Sequence, residues 1–162
     1  MMVTPAIIVS LLIFPWIVVT VMRRGERAMR SAGVLGVCLV FLFTGIGHFI
    51  KTEPMAQMLP GFVPLRTLLV IATGVLELLL AVLILLPAAR RIIGLCLIVM
   101  LVLFLPANIY AAVERVPMGG HAWGPWYLAI RVPLQALLVG WTYYFAVRPQ
   151  GQLQLTGDAR DG

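Results

Sequence analysis

Long apolar stretches separated by short polar segments are the main feature of the hydrophobic pattern of this chain. A bilayer core about 30 Å thick needs roughly 20 mostly apolar residues of helix to cross it. Five stretches meet this requirement: residues 5–22, 31–50, 67–86, 92–113 and 126–147. The pattern therefore predicts an all-α membrane protein with five transmembrane spans.

The first stretch has a second interpretation, because a secretory signal peptide also places an apolar segment near the N-terminus. A signal peptide carries basic residues before that segment and small residues at a cleavage site after it. The chain has neither, and four arginines follow the stretch instead: Arg23, Arg24, Arg27 and Arg30. We therefore expect a retained span, interrupted by Pro15.

The connecting segments divide the chain into three parts. The turn at residues 87–91 is too short for anything but an antiparallel hairpin, so the third and fourth spans should pack side by side. We expect an N-terminal helix with a basic loop in residues 1–30, a membrane bundle in residues 31–147, and a disordered polar tail in residues 148–162.

Basic residues are divided unequally between alternate loops, which indicates the orientation of the spans. Lys and Arg are held on the cytoplasmic side of membrane proteins. Eight lie in the loop after the first span, in the turn after the third span and in the tail, whereas three lie on the opposite side: Lys51, Arg66 and Arg115. The count predicts an external N-terminus and a cytoplasmic C-terminus.

The composition agrees with a membrane protein and excludes several other classes. Of 162 residues, 62% are hydrophobic and 11% charged, whereas globular chains have about 45–50% apolar and about 25% charged residues. A soluble enzyme, a disordered chain and a collagen-like fibre are therefore excluded. The net charge of +6 comes from basic residues scattered between apolar runs, so we expect the lipid bilayer as a partner and no nucleic acid.

Polar residues inside the apolar stretches are the candidate functional residues. An ionisable side chain at the centre of a span costs roughly 2.5–3.5 kcal/mol on insertion scales, so it usually faces the protein interior. Glu77 lies near the midplane of the third span, with Thr73 one turn before it. Arg131 and Gln135 share one face of the fifth span because they are four residues apart. We expect an Arg131–Glu77 interaction with Gln135 beside it.

Two further polar residues lie near the outer ends of their spans, at a similar level. His48 is in the second span and Asn108 in the fourth. The sequence thus predicts a ligand-binding cluster in the outer half of the membrane: His48, Glu77, Asn108, Arg131 and Gln135. The alternative is that these side chains only form hydrogen bonds between helices, which contribute about 0.6 kcal/mol on average.

Metal and thiol chemistry have little support in the sequence. The two histidines, His48 and His121, lack the short spacing of a zinc site, so we expect no metal. Cys38 and Cys96 stand alone in apolar runs and form no CxxC motif, which argues against thiol–disulfide exchange.

Several short motifs occur in the order found in one known family. They are Phe43–Phe49 followed by Glu53-Pro54, Gly74–Leu78, Pro87–Arg91, Pro106–Tyr110 and Arg131–Gln135. On these motifs, residues 30–147 resemble the DoxX-like family of small bacterial membrane proteins. The resemblance implies an antiparallel four-helix transmembrane bundle in the bacterial inner membrane, to which this chain adds one N-terminal helix. Family members are linked to membrane oxidoreductase assemblies, including a thiosulfate:quinone oxidoreductase subunit.

The polar cluster and the resemblance lead to three hypotheses of function. We favour an accessory subunit without catalysis of its own, which binds a small amphipathic molecule such as a quinone beside a membrane oxidoreductase partner. The second hypothesis is an isomerase or reductase of an apolar substrate, with Glu77 or His48 transferring a proton. The third is a chaperone or assembly factor that acts through lipid-facing helix surfaces, such as Ala136 with Gly140.

Overall fold

The computed structural model describes residues 3–22, 25–117 and 120–149, and within these ranges the chain is helical with no β-strand. A short 3-10 segment, His121–Tyr127, precedes the last α-helix, and a π-helical segment, Tyr143–Val147, continues it. The six α-helices are α1 (Val3–Val21), α2 (Glu26–Ile50), α3 (Thr52–Ala56), α4 (Arg66–Leu83), α5 (Arg90–Val113) and α6 (Leu128–Thr142).

Four helices form a ring in which each packs against two neighbours, in the order α2, α4, α5, α6 and back to α2. Within the described ranges, α2 and α5 face each other across the ring without backbone contact, and so do α4 and α6. Helix α1 lies outside the ring, mainly against α2. The expected side-by-side packing of the third and fourth apolar stretches is confirmed by the contact of α4 with α5.

Helix length supports a membrane location for most of the chain. Four helices, α1, α2, α4 and α5, are long and apolar enough to cross a bilayer, which indicates a multi-pass membrane protein. The fifth apolar stretch is divided, because α6 has only 15 residues before the π-helical segment begins. Helix α2 starts at Glu26, five residues before the predicted start of its span.

Large apolar side chains cover much of the outer surface. Val21 and Leu103 are 75% and 68% exposed, whereas Phe41 and Leu97, which face the interior, are almost fully buried. Soluble monomers rarely expose continuous apolar surfaces of this kind. The outside of the bundle therefore has the character of a lipid-facing surface.

The bundle has two ends that differ in composition. At the arginine end, where α2 and α5 begin and the π-helical segment stops, Arg30 donates hydrogen bonds to the carbonyl oxygens of Phe145 and Arg148 at 2.9 and 2.8 Å. A cation beside terminal carbonyls also stabilises the helix dipole. The opposite end, where α2 and α5 stop and α4 begins, is called the His48 end below.

Parts of two sequence predictions fall outside the described residues. Arg23 and Arg24, which belong to the basic loop after the first span, lie there, and so do residues 150–162 of the tail that is predicted to be disordered. His121 belongs to the 3-10 segment, but its side chain is not described.

Candidate functional site

Glu77 lies on the inward face of α4 and is only 3% exposed. Its two carboxyl oxygens face different partners on α2. The hydroxyl of Thr44 donates a hydrogen bond to Oε1, and the imidazole Nε2 of His48 approaches Oε2 to 3.2 Å. The Nε2 contact has ion-pair distance but lacks the alignment of a hydrogen bond, so its attraction is chiefly electrostatic.

The other imidazole nitrogen fixes the orientation of the His48 ring. Nδ1 lies 2.9 Å from the carbonyl oxygen of Val70 on α4. Because a carbonyl can only accept, Nδ1 must carry a hydrogen and donate it. The hydroxyl of Thr73 is 3.4 Å from the same nitrogen. His48 therefore bridges two turns of α4, with Nδ1 at one turn and Nε2 at Glu77.

Two glycines allow α2 and α4 to approach closely at this site. A Cβ atom on Gly74 would lie 2.6 Å from Cβ of His48, and one on Gly45 would lie 2.8 Å from a methyl group of Leu78. At Gly74 the clash is with a Cβ atom next to the backbone, so the helices would have to shift, whereas at Gly45 the Leu78 methyl group would have to move. Small residues of this kind are typical of close helix contacts in membranes. The two glycines thus set the separation at which His48 reaches Glu77.

The direction of the side chains explains why His48 and Glu77 meet although they lie at different depths. Side chains on an α-helix lean toward its N-terminus. Since α2 ends where α4 begins, His48 leans back into the bundle while Glu77 leans out toward the His48 end. The two side chains therefore converge from opposite directions.

The predicted interaction between Arg131 and Glu77 is wrong in this structure. Arg131 is on α6, which lies diagonally opposite α4, and the backbones of these two helices do not come into contact. Arg131 also leans toward the N-terminus of α6, away from the depth of Glu77. The carboxylate is paired with His48 instead.

Arg131 itself is half-buried on the inward face of α6. Its Nε atom is buried and has no hydrogen-bond partner within the described part of the chain. No acidic side chain among the described residues lies within ion-pair distance of it. The unpartnered Nε–H retains the capacity to donate a hydrogen bond to an anionic or carbonyl oxygen.

Gln135 and Asn108 are both buried, and each bonds to a backbone carbonyl of α5. The amide nitrogen of Gln135 donates to the carbonyl oxygen of Leu101 at 2.6 Å, which ties α6 to α5. Asn108 donates to the carbonyl oxygen of Phe104 at 2.7 Å. The Phe104 ring approaches the His48 ring, with 6.0 Å between their centres. The prediction that Gln135 lies beside Glu77 is therefore wrong. Asn108 and His48, in contrast, share Phe104 as a neighbour.

The five predicted site residues thus form two groups rather than one cluster. His48 and Glu77 form a pair between α2 and α4, and Gln135, Asn108 and Arg131 belong to the α5–α6 side. Sequence reasoning missed the pairing itself. A signal for this pairing exists in the sequence. His48 lies three residues after Gly45, and Glu77 lies three residues after Gly74. Each polar side chain is therefore on the same helix face as a glycine, which is the face that permits close approach.

Metal ligation and thiol chemistry have no support among the described side chains. No group of three His, Cys, Asp or Glu residues is placed to hold a metal ion there. Cys38 is buried and Cys96 is exposed, and both are free thiols.

Comparison with known proteins gives one match. A family model described as a domain of unknown function, DUF8561, matches residues 37–146. This range includes most of α2, all of α4, α5 and α6, and the five predicted site residues. No curated protein and no solved structure matches the chain.

Proposed function

The chain belongs to the DUF8561 family, and we propose that it is an accessory subunit of a bacterial inner-membrane oxidoreductase system that binds a small amphipathic molecule of the quinone class. Arg131 is the residue that receives the polar head of this molecule. The observation that carries the proposal is the half-buried guanidinium whose buried Nε has no hydrogen-bond partner within the described residues.

Energetics support a ligand role for Arg131. An Arg side chain within a membrane span is costly unless it is paired or reaches polar surroundings. The carboxylate that could have paired with it, Glu77, is held by His48 and Thr44 on the far side of the ring. A carbonyl or anionic oxygen of a ligand would accept a hydrogen bond from the unpartnered Nε–H.

The surroundings of Arg131 suit an amphipathic molecule. Ligand sites are usually apolar with a few well-placed polar groups. Val132, next to Arg131 on α6, and Leu103 on the neighbouring helix α5 are exposed apolar residues on the outer surface of the bundle, where an apolar tail could lie. Asn108, buried on α5, is a second polar group toward the His48 end. A quinone combines such a tail with two carbonyl oxygens that accept hydrogen bonds.

The accessory role and the inner-membrane location come from the resemblance to the DoxX-like family, whose members include subunits of membrane oxidoreductases. The fifth span is proposed to consist of α6 together with the π-helical segment, which continue one another from Leu128 to Val147. This span, added to the four long helices, gives five crossings with the N-terminus outside and the C-terminus inside.

Charge at the two ends of the bundle supports this orientation and yields a topology prediction. The arginine end carries five described arginines, Arg27, Arg30, Arg90, Arg91 and Arg148, whereas the His48 end carries Lys51, Arg66 and Arg115. Reporter fusions after Arg30 and Gly162 are expected to read cytoplasmic, and a fusion after Gly120 external. A cytoplasmic signal at Gly120 would overturn the orientation.

Ligand binding is tested on the full-length protein in detergent with a short-chain benzoquinone as the probe. Binding to the folded state raises the unfolding temperature in proportion to the logarithm of ligand concentration. We expect such a shift in the wild type and its loss in Arg131→Gln, which keeps a similar size but removes the guanidinium. Lys51→Gln is the matched control, because it removes one charge from an exposed side chain at the same end.

Each result bears on a different part of the proposal. A shift that survives in Arg131→Gln would show that the quinone binds elsewhere and would remove Arg131 from the site. The absence of any shift in the wild type would contradict the quinone class. Equal losses in Arg131→Gln and Lys51→Gln would mean that net charge, rather than a site, governs the effect.

A further inference from the structure

We infer that His48 and Glu77, flanked by Thr73 and Thr44, form a proton-binding site inside the bundle that exchanges one proton with the His48 end. The four groups are arranged in series: the Thr73 hydroxyl beside Nδ1, Nε2 beside Oε2 of Glu77, and Oε1 beside the Thr44 hydroxyl. Successive members alternate between α4 and α2, so the series runs across the helix interface.

The geometry fixes how many protons the pair holds at rest. Nδ1 keeps its hydrogen because it donates to the Val70 carbonyl. An apolar interior disfavours any net charge, so the remaining atoms, Nε2 and the carboxyl group, hold one proton between them. A small rotation of the imidazole or the carboxyl group brings Nε2 into line with Oε2, 3.2 Å away. When the proton then moves from Nε2 to Oε2, an N–H bond breaks and an O–H bond forms, and an ion pair becomes a neutral pair. The proton count of the pair does not change in this step.

Unequal exposure gives the pair an entrance. The His48 side chain is 12% exposed and the Glu77 side chain 4%. His48 is also two residues from the end of α2. A proton from solvent therefore reaches Glu77 through the imidazole, and histidine is the side chain whose ordinary titration lies nearest neutral pH.

Few other groups can influence this equilibrium. From α4 the neighbours of the imidazole are Glu77, Thr73 and the Val70 carbonyl, and from α5 its neighbour is the ring of Phe104. Among the described residues, the ion pair that involves either group is the one between them. The two groups consequently act as one coupled pair.

The His48–Glu77 pair lies in the same bundle as the Arg131 site, so it extends the proposed function. A role of the pair as a proton source for a bound quinone rests on that proposed function. Buried chains of Asp, Glu and His are the usual means of proton transfer inside membrane proteins. The proton exchange itself does not depend on any ligand, so it can be measured on the protein alone.

The test is infrared difference spectroscopy of the full-length protein in phosphatidylcholine vesicles, across the pH range in which histidine titrates. We expect a carboxylic C=O stretching band that changes with pH and shifts in D₂O. The band should disappear in Glu77→Gln and persist in Glu53→Gln, the matched control, because Glu53 is an exposed acid on the short helix α3. In His48→Gln the band should persist but lose its dependence on pH within this range.

The outcomes separate this inference from the proposed function. A Glu77 band that neither changes with pH nor shifts in D₂O in the folded wild type would overturn the proton site, whatever the quinone result. If Glu77→Gln fails to fold, Thr44→Val replaces it. That variant keeps both titrating groups, so the titration midpoint of the band should move, and an unmoved midpoint would exclude Glu77 as its source. Loss of quinone binding in Arg131→Gln with an intact band would leave the proton site standing.

Discussion

Glu77→Ala is expected to lower stability more than any other single polar substitution in the bundle. The change removes the carboxyl group from both of its partners at once: the Thr44 hydroxyl loses one acceptor and the His48 imidazole loses its counter-charge. Breaking a buried ion pair by removing one member costs about 3–5 kcal/mol. The free energy of unfolding in mixed detergent micelles should fall by a similar amount, and the unfolding temperature should fall with it.

A double-mutant cycle tests whether the pairing causes this loss. Because His48 and Glu77 are in contact, the double variant His48→Ala/Glu77→Ala should lose less than the two single variants added together, with a coupling of about 0.5–3 kcal/mol. Arg131→Ala serves as the control. It lies on the opposite helix of the ring, so its effect should add to that of Glu77→Ala within about 0.3–0.5 kcal/mol.

The opposite pattern of coupling would contradict the structural account. Strong coupling between Glu77 and Arg131 with additive effects of Glu77 and His48 would place the carboxylate against α6, as the sequence alone suggested. The cycle therefore decides between the two arrangements in solution.

Gly74→Ala is expected to give the second large effect. A single methyl group at this position would lie 2.6 Å from Cβ of His48, so α2 and α4 must separate. Overpacking of this kind costs about 1–3 kcal/mol, and the separation should also weaken the coupling between His48 and Glu77. Both quantities are measured with the unfolding experiment described above.

Gly47→Ala is the matched control for this prediction. Gly47 is also inside a helix, but the nearest atom to its added methyl would be the terminal methyl of Met55 at 3.8 Å, an ordinary contact. Alanine has a higher helix propensity than glycine by about 1 kcal/mol, so this variant should be as stable as the wild type or more so. Equal destabilisation by both substitutions would exclude close helix packing as the cause for Gly74.

The positions of the helices could be read from the sequence with small errors. Apolar runs of about 20 residues leave few alternatives to helices in a lipid environment, because each backbone polar group must be satisfied within its own segment. The last stretch is the exception. Its path includes a 3-10 segment, a 15-residue helix and a π-helical segment. The end of the π-helical segment also accepts hydrogen bonds from Arg30 on α2, a tertiary contact that the hydrophobic pattern does not reveal.

The sequence also identified which polar residues lie in the interior. Glu77, Asn108 and Gln135 are all buried, as the cost of exposing polar groups to lipid requires. Depth along each helix, however, was a poor guide to contact. The span boundaries place Arg131 and Glu77 at compatible depths, yet the ring order of the helices keeps them apart.

The sequence by itself therefore determined a helical membrane chain and the set of polar residues inside it, because hydrophobic length and the cost of buried polarity are properties of each segment alone. Only the tertiary structure decided which of these residues meet. Pairing depends on the ring order of the helices, on the glycines that let α2 and α4 approach, and on the lean of side chains toward the N-terminus of their helix. These are relations between segments, and for this reason His48 rather than Arg131 is the partner of Glu77.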